Sequence, residues 1–269
     1  MSDRRDENRN DELWVCQLGS IAYEHGVTIQ ERIRERRLAG ELPDTLLLLE
    51  HPPTYTRGRR SGAEDLPFGE DFYRAKGIEV HDTDRGGRLT YHGPGQLVGY
   101  PIMGVADIGR FLRTMEDAIV AALGEEGLVA RSRHEDGADY TGVWVGERKI
   151  ASIGVHVARG ISTHGFAINV ENDVEPFSWV VACGLPDVAM TSLALELAPG
   201  CTAGLACLRR RVAFSFCAAH GRRQRLVSAR RLGIDDTHAV RPADTRATID
   251  ELSLRAARPL PAQPVAVHT

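Results

Sequence analysis

Two segments of the chain carry the apolar spacing of amphipathic helices. In residues 21–39, and again in residues 108–126, apolar side chains recur every three to four positions, which is the period of one helix face. Gly40 follows the first segment and supplies a stop signal. Residues 187–198 predict the start of a third helix.

Shorter apolar runs predict β-strands between these helices. Residues 44–50 hold a continuous run of leucines between turn residues, a pattern typical of a strand buried on both faces. Residues 143–145 and 148–157, separated by Gly146 and Glu147, predict a hairpin, and residues 164–170 predict a further strand. Helices mixed with antiparallel hairpins indicate a mixed α/β (α+β) domain.

Lys149 stands at the start of the second hairpin strand. Strict alternation places it on one face with Ala151 and Ile153, and Ser152 on the other. A lysine at the end of a row of small and apolar side chains either takes part in proton transfer or extends its ammonium group into water. Spacing alone favours the second interpretation, a solvated ammonium.

The scarcity of lysine among the basic residues favours a chemical role for Lys149. Only two of the 33 basic residues are lysines, Lys76 and Lys149. A genome rich in arginine codons would explain this imbalance at the surface. A guanidinium cannot lose its proton in a protein, however, whereas a desolvated ammonium can. Lys149 is therefore a candidate for acid–base chemistry.

Composition limits the class of protein. With 269 residues, 42% hydrophobic and 26% charged, the chain can bury a sizeable core. The charged opening segment resembles no signal peptide, and no run of about 18 apolar residues occurs, so we expect a cytoplasmic protein without a membrane partner. The five cysteines form no C-x-x-C pair, which argues against a metal site.

The two ends of the chain differ from its middle. Residues 1–12 are highly charged and predict a flexible N-terminus, before a catalytic domain over residues 13–215. Residues 216–269 are rich in Arg, Ala and Pro and predict a partly disordered extension. The basic extension lacks interleaved aromatic residues, so a nucleic-acid partner is not expected.

A glycine-dense segment over residues 85–102, RGGRLTYHGPGQLVGYPI, is the most informative in the sequence. It matches neither the dinucleotide nor the P-loop spacing. Glycines at this density let the backbone approach a ligand closely, and the neighbouring polar side chains add specific contacts.

Cys183 follows an apolar stretch and precedes a turn. Composition favours a buried, inert cysteine. The alternative is a thiol activated by a neighbouring base, which would serve acyl transfer through a thioester. His92, His156 and His164 are candidate bases, and each is equally compatible with a structural role.

Three blocks together resemble one known family. The segments RGGRLTYHGPGQLVGYPI, KIASIGVHVARGISTHGFAINV and ACGLPDVAMTSL are similar to the signature blocks of the lipoyl(octanoyl) transferases of lipoate biosynthesis, and the resemblance covers roughly residues 13–215. It implies a single domain related to the catalytic domains of biotin and lipoate protein ligases. It also implies octanoyl transfer from acyl carrier protein to a lysine of a lipoyl domain, with no cofactor.

The resemblance also implies roles for particular residues. Cys183 would carry the acyl thioester, and Lys149 would be the base that activates it. The implied acyl-pocket residues are Arg85, Gly86, Gly87, Arg88, Leu89, Thr90, Tyr91, His92, Ser152, Ile153, Gly154, Gly165, Phe166 and Ala167.

The implied partners are octanoyl-acyl carrier protein as donor and, as acceptors, the lipoyl domains of 2-oxoacid dehydrogenase acyltransferase subunits and the glycine cleavage H protein. Such partners are generally acidic, so a basic docking face is expected. The candidates are Arg32, Arg34, Arg36 and Arg37, then Arg57, Arg59 and Arg60, and the Arg-rich stretch from Arg209. Three alternatives remain open: an ATP-dependent ligase, a relay amidotransferase between lipoyl domains, and a non-catalytic module that binds acyl carrier protein.

Overall fold

A large mixed β-sheet forms the centre of the protein. The computed structural model describes residues 11–185, 188–198 and 204–234, together with the backbone of residues 239–240. The strands of this sheet are β1 (Glu12–Ile21), β2 (Thr45–Glu50), β6 (Gln96–Ile102), β7 (Arg131–Ser132), β8 (Gly142–Val145), β9 (Arg148–Ala158), β10 (Ile161–Asn169), β11 (Arg223–Leu226) and β12 (Ala239–Val240). Within the described residues the strand order is β11-β1-β2-β6-β10-β9-β8-β7, and β12 also pairs with β1. Pairing is parallel between β1 and β2 and between β1 and β11, and antiparallel along the path from β2 to β7.

Strand β2 shows why the sheet lies in the interior. Leu46 and Leu48 pack into one hydrophobic core on one face, and Leu47 and Leu49 pack into a second core on the other face. All four leucines are inaccessible to solvent. This confirms the buried strand predicted for residues 44–50, since only a strand covered on both faces accommodates consecutive apolar side chains.

Helices cover both faces of the sheet. The helices are α1 (Tyr23–Leu38), α2 (Glu70–Ala75), α3 (Ile108–Gly124), α4 (Leu193–Glu196) and α5 (Leu205–Ala219). Helix α1 buries Ile29 and Ile33 in the second core, whereas α3 and α5 pack together on the first. The Asp107 side chain caps α3 by accepting a hydrogen bond from the Arg110 backbone N–H at 3.0 Å.

The third helix predicted over residues 187–198 is wrong in extent. Among the described residues of that segment, only Leu193–Glu196 is helical. Met190 instead forms a β-bridge with Lys149, and Ser192 then caps the short helix. The bridge holds this part of the chain extended, which apolar spacing could not reveal.

The described residues continue the domain past the boundary predicted at residue 215. Helix α5 runs to Ala219 and buries Phe216 and Cys217, and β11 then pairs with β1. Leu232 and Ile234 are buried in the second core. The many arginines of this stretch obscure a few well-spaced apolar residues. Composition alone therefore places the end of the domain too early in the sequence. Residues 1–10 and 241–269, where most of the predicted flexible ends fall, lie outside the described residues.

A second, three-stranded sheet lies against β9. It has the order β4-β3-β5, with β3 (Thr54–Arg57), β4 (Glu79–Asp82) and β5 (Thr90–His92). A third core that includes Tyr55, Tyr73 and Tyr91 packs behind it. The segment that leads into β5 reaches the main sheet at Gly86, whose N–H donates to the Val155 carbonyl at 2.9 Å. No helix in the described ranges is long and apolar enough to cross a bilayer.

We expect Leu48→Ala to lower the free energy of unfolding by about 3 kcal/mol, because it leaves a cavity in a strand covered on both faces. Leu226→Ala is the matched control, since Leu226 is 65% exposed on β11 and its truncation should cost less than about 0.5 kcal/mol. Urea unfolding of both variants measures the difference. Equal losses would contradict the assignment of β2 to the core.

Candidate active site

Cys183 lies on a strained turn. The turn Ala182–Gly184 places Cys183 at φ 58°, in the left-handed region that residues with a side chain rarely adopt. Its backbone N–H donates to the Leu89 carbonyl at 2.8 Å, and neighbouring Ala182 is buried in the third core. The Sγ atom lies 3.7 Å from Ser152 Oγ. Such strain is typical of functional sites.

Lys149 is buried at the start of β9, with 2% of its surface exposed. Its backbone is bonded on both sides, because its N–H donates to the Ala189 carbonyl and its carbonyl accepts from Thr191, each at 2.9 Å. The Nζ atom lies 5.3 Å from the centre of the Trp144 ring. Among the described residues Lys149 has no carboxylate in ion-pair contact.

The predicted face of Lys149 is wrong because β9 contains a bulge. The pairing register with β8 shifts between Val143 and Trp144, so one extra residue of β9 interrupts the alternation. Lys149 and Ser152, placed on opposite faces by strict alternation, line the same cavity as Cys183. The bulge therefore brings the lysine to the cysteine's side of the sheet.

A cavity of about 260 Å³ lies between the two sheets and contains both residues. Twelve of the fourteen predicted pocket residues line it: Arg85, Gly86, Gly87, Arg88, Thr90, His92, Ser152, Ile153, Gly154, Gly165, Phe166 and Ala167. The other two, Leu89 and Tyr91, pack into the third core instead. Alternation along β5 explains this, since Thr90 and His92 face the cavity and Tyr91 between them faces away.

Other lining residues were missed by the sequence analysis. They include Tyr23, Tyr100, Ile108, Leu112 and Asp139. Tyr100 belongs to β6, inside the glycine-dense segment 85–102, but was not singled out there. The others come from α1, α3 and the loop before β8, which carry no local signal for a site. His164, which the sequence offers either as a base or as a structural histidine, lies in the cavity wall.

Arg85 is a buried cation on the cavity wall. Its guanidinium donates to the Thr56 carbonyl at 2.6 Å, to Thr56 Oγ1 at 2.9 Å and to the Gly86 carbonyl at 3.0 Å. Burial lowers the pKa of Arg85, and nearby ionisable groups, Tyr23 and Cys183 among them, oppose this effect. All its hydrogen-bond partners in the described residues are neutral, so its charge is available to an anionic group in the cavity.

Two histidines have fixed tautomers. His51 Nδ1 donates to the Ile21 carbonyl at 2.6 Å, so its Nε2 accepts from the Tyr100 hydroxyl at 2.6 Å. Gln96 donates its amide N–H groups to Tyr91 and Asn169, so its oxygen accepts from His92 Nδ1 at 2.8 Å. Burial lowers the pKa of His51 to about 4 and that of His92 well below its ordinary value.

Asp84 joins two further histidines at the surface. His164 Nε2 donates to its Oδ1 at 2.8 Å, and His156 Nε2 lies 3.5 Å from its Oδ2. The hydrogen bond from His164 lowers the pKa of Asp84 to about 2. Asp84 is therefore ionised at neutral pH and fixes the orientation of the His164 ring.

Most of the arginines proposed for docking have partners inside the protein. In helix α1, Arg34, Arg36 and Arg37 pair with Glu31, Glu41 and Asp44, and Arg32 donates to the Gly233 carbonyl. Arg57 pairs with Glu70 and Asp82, and Arg60 pairs with Asp139 at 2.7 Å. Arg209 and Arg211 pair with Glu50 and Glu125. Arg59 is exposed beside the cavity-lining Arg60.

The fold is that of lipoate protein ligases. Lipoate-protein ligase A bound with ATP superposes with a TM-score of 0.65 at 17% identity, covering 91% of this chain and 94% of the other. The bipartite lipoate protein ligase of Thermoplasma acidophilum gives a TM-score of 0.63 at 17% identity, covering 90% and 92%. At such low identity the likeness concerns the fold alone.

Sequence comparison identifies the family. The model of the lipoyl protein ligase A/B catalytic domain matches residues 22–207, so the chain belongs to that family. It is similar to the octanoyltransferases of Solibacter usitatus, with 46% identity over 67% of this chain and 83% of the relative, and of Mycobacterium marinum, with 43% identity over 76% and 87%. The predicted family, the fold class and the acyltransferase class of enzyme are confirmed.

We expect stability to fall as the pH is lowered from 6.5 to about 4. Unfolded His51 binds a proton below its ordinary pKa of 6.5, whereas in the folded protein its pKa is about 4. The unfolded state therefore gains the proton first, and His51 alone should cost up to about 3 kcal/mol across this range. Urea unfolding at several pH values measures the slope, and His51→Gln should flatten it. An unchanged slope in this variant would contradict the assignment.

Proposed function

We propose that the protein transfers an octanoyl group from octanoyl-acyl carrier protein to a lysine of a lipoyl domain, through a thioester on Cys183. The observation that carries this proposal is the joint exposure of Cys183 and the buried Lys149 to one cavity. The relatives named octanoyltransferase support octanoyl transfer in lipoate biosynthesis.

In the first half-reaction Lys149 takes the proton of the Cys183 thiol, and the thiolate attacks the donor thioester carbonyl. The bond from the carbonyl carbon to the carrier sulfur then breaks, and the carrier thiol leaves with the proton. One thioester replaces another, so no ATP is required. The Ser152 hydroxyl, 3.7 Å from Sγ, is placed to donate a hydrogen bond to the thiolate.

In the second half-reaction the amine of the acceptor lysine attacks the Cys183 thioester. An amide bond forms, the bond from carbon to Sγ breaks, and Lys149 passes the proton released by the amine to the departing Sγ, which regenerates the Cys183 thiol. Conversion of a thioester to an amide drives this half forward. The Arg85 guanidinium, whose hydrogen-bond partners in the described part of the chain are neutral, favours the negative charge that develops in both halves.

The cavity supplies the acyl-binding surface. Leu112, Ile153 and Phe166 offer apolar contacts, and each buried methylene of a chain would contribute about 0.8 kcal/mol. The glycines of the segment 85–87 allow the backbone to lie close to the chain. Arg59 is the docking contact we propose for an acidic partner, because it is exposed, has no ion pair among the described residues and adjoins the cavity-lining Arg60.

The alternatives differ in what they require. An ATP-dependent ligase needs ATP and free acid but no cysteine, and a relay amidotransferase needs an acylated lipoyl domain as donor. A module that only binds acyl carrier protein would have no use for a buried lysine and a strained cysteine that line one cavity.

Mixing the protein with octanoyl-acyl carrier protein, without ATP, should add one octanoyl group to the intact mass. We expect Cys183→Ala to abolish this adduct. Cys207→Ala is the control, since Cys207 is also partly accessible but lies on α5, away from the cavity-lining residues. Labelling of an acceptor domain only with ATP and free octanoate would instead establish the ligase.

Replacing Lys149 tests the base. We expect Lys149→Arg and Lys149→Met each to slow acylation of Cys183 at least about 1000-fold, because neither side chain can accept the thiol proton. Single-turnover acylation followed by mass spectrometry measures the rate, and thermal unfolding reports whether the variant is folded. A folded Lys149→Arg variant with near-normal acylation would exclude the role of base.

A further inference from the structure

Polar side chains cluster on one part of the cavity wall. Tyr23, His92, Tyr100 and His164 line it, in contrast to Ile108, Leu112 and Phe166 elsewhere on the wall. The pairing of β9 with β10 gives the distance along the strands from Ser152, beside Cys183, to His164. Ser152, beside Cys183, pairs with Ala167, and Val155 pairs with His164. Three residues along these strands separate the two pairs, which is about 10 Å.

This distance matches an eight-carbon chain. The seven carbon–carbon bonds of an octanoyl group, each about 1.5 Å long, span about 9 Å when extended in a zigzag. An octanoyl group joined to Cys183 and lying along the cavity would therefore end near His164 and Tyr100. A longer chain would meet these side chains.

His164 closes the cavity at this end. The residue is 5% exposed, while its partner Asp84, which accepts the 2.8 Å hydrogen bond from Nε2, has a half-exposed side chain. The imidazole therefore stands between the cavity and the surface. Its ring lies edge-on to Tyr100, with the ring centres 6.2 Å apart.

The backbone holds the ring in this position. His164 has φ 57°, and its N–H donates to Gln30 Oε1 of helix α1 at 2.6 Å. A residue with a strained backbone that is hydrogen-bonded through both its backbone and its side chain has little freedom to move, so it forms a rigid wall. An additional methylene pushed against it would break hydrogen bonds of buried groups, which costs more than the methylene gains.

We propose that His164, positioned by Asp84, is the end wall that sets the upper limit of acyl-chain length. This inference rests on the proposed function, in which the acyl chain joined to Cys183 occupies the cavity. It adds a specificity-determining residue that does not touch the reacting atoms.

The test is His164→Gly, because glycine adopts a positive φ without strain and removes the ring. Acylation of Cys183 is measured with octanoyl-, decanoyl- and dodecanoyl-acyl carrier protein by intact mass over time. We expect the rate ratio of dodecanoyl to octanoyl to rise at least about tenfold. Arg159→Gly is the matched control, because Arg159 also has a positive φ, 52°, but lies exposed in the turn between β9 and β10. Its chain-length profile should equal that of the wild type.

A second variant, His164→Asn, provides the test if the glycine variant does not fold, since asparagine tolerates a positive φ and is shorter than histidine. An unchanged ratio of the dodecanoyl to the octanoyl acylation rate in a folded variant would contradict the role of His164 as the end wall and leave the proposed function intact. Absence of any octanoyl adduct on the wild-type protein would instead refute the proposed function itself.

Discussion

The close approach of the segment 85–87 to strand β9 is the contact on which the site depends. Gly86 donates to the Val155 carbonyl, and a Cβ atom on Gly154 would lie 2.8 Å from the Gly86 carbonyl oxygen. Any side chain at residue 154 would therefore push the two sheets apart. This one contact sets the separation between the floor of the cavity, formed by β9 and β10, and its roof, formed by β5.

Backbone strain is concentrated around the same cavity. Three residues other than glycine have a positive φ among the described residues, and two of them, Cys183 and His164, line the cavity. The third, Arg159, is in a hairpin turn, where such a conformation is common. The two strained cavity residues are held by hydrogen bonds to Leu89 and Gln30. The surrounding fold therefore stabilises conformations that these residues would not adopt alone.

The sequence predicted the periodic parts of the fold and the glycine-rich lining. The leucines of β2 and the apolar face of α3 are local signals, and they lead directly to the observed elements. The face of Lys149 could not be predicted, because a bulge shifts alternation without leaving a pattern of its own. Tyr23, Tyr100 and Leu112 reach the cavity only through tertiary packing. Helix α5 was hidden because a run of three arginines interrupts its apolar residues.

The electrostatics of the cavity favour one kind of chemistry. Arg85 and Lys149 are both buried on its wall, and the only carboxylate among its described lining residues, Asp139, is paired with Arg60. In the proposed mechanism Lys149 becomes a cation once it has taken the thiol proton. Burying a cation such as Arg85 without a counter-ion is costly, so the site gains when an anionic group forms in the cavity. A thiolate on Cys183 and the oxyanion of a tetrahedral intermediate are such groups. The cost of burying Arg85 without a counter-ion thus becomes stabilisation of the charged states of acyl transfer.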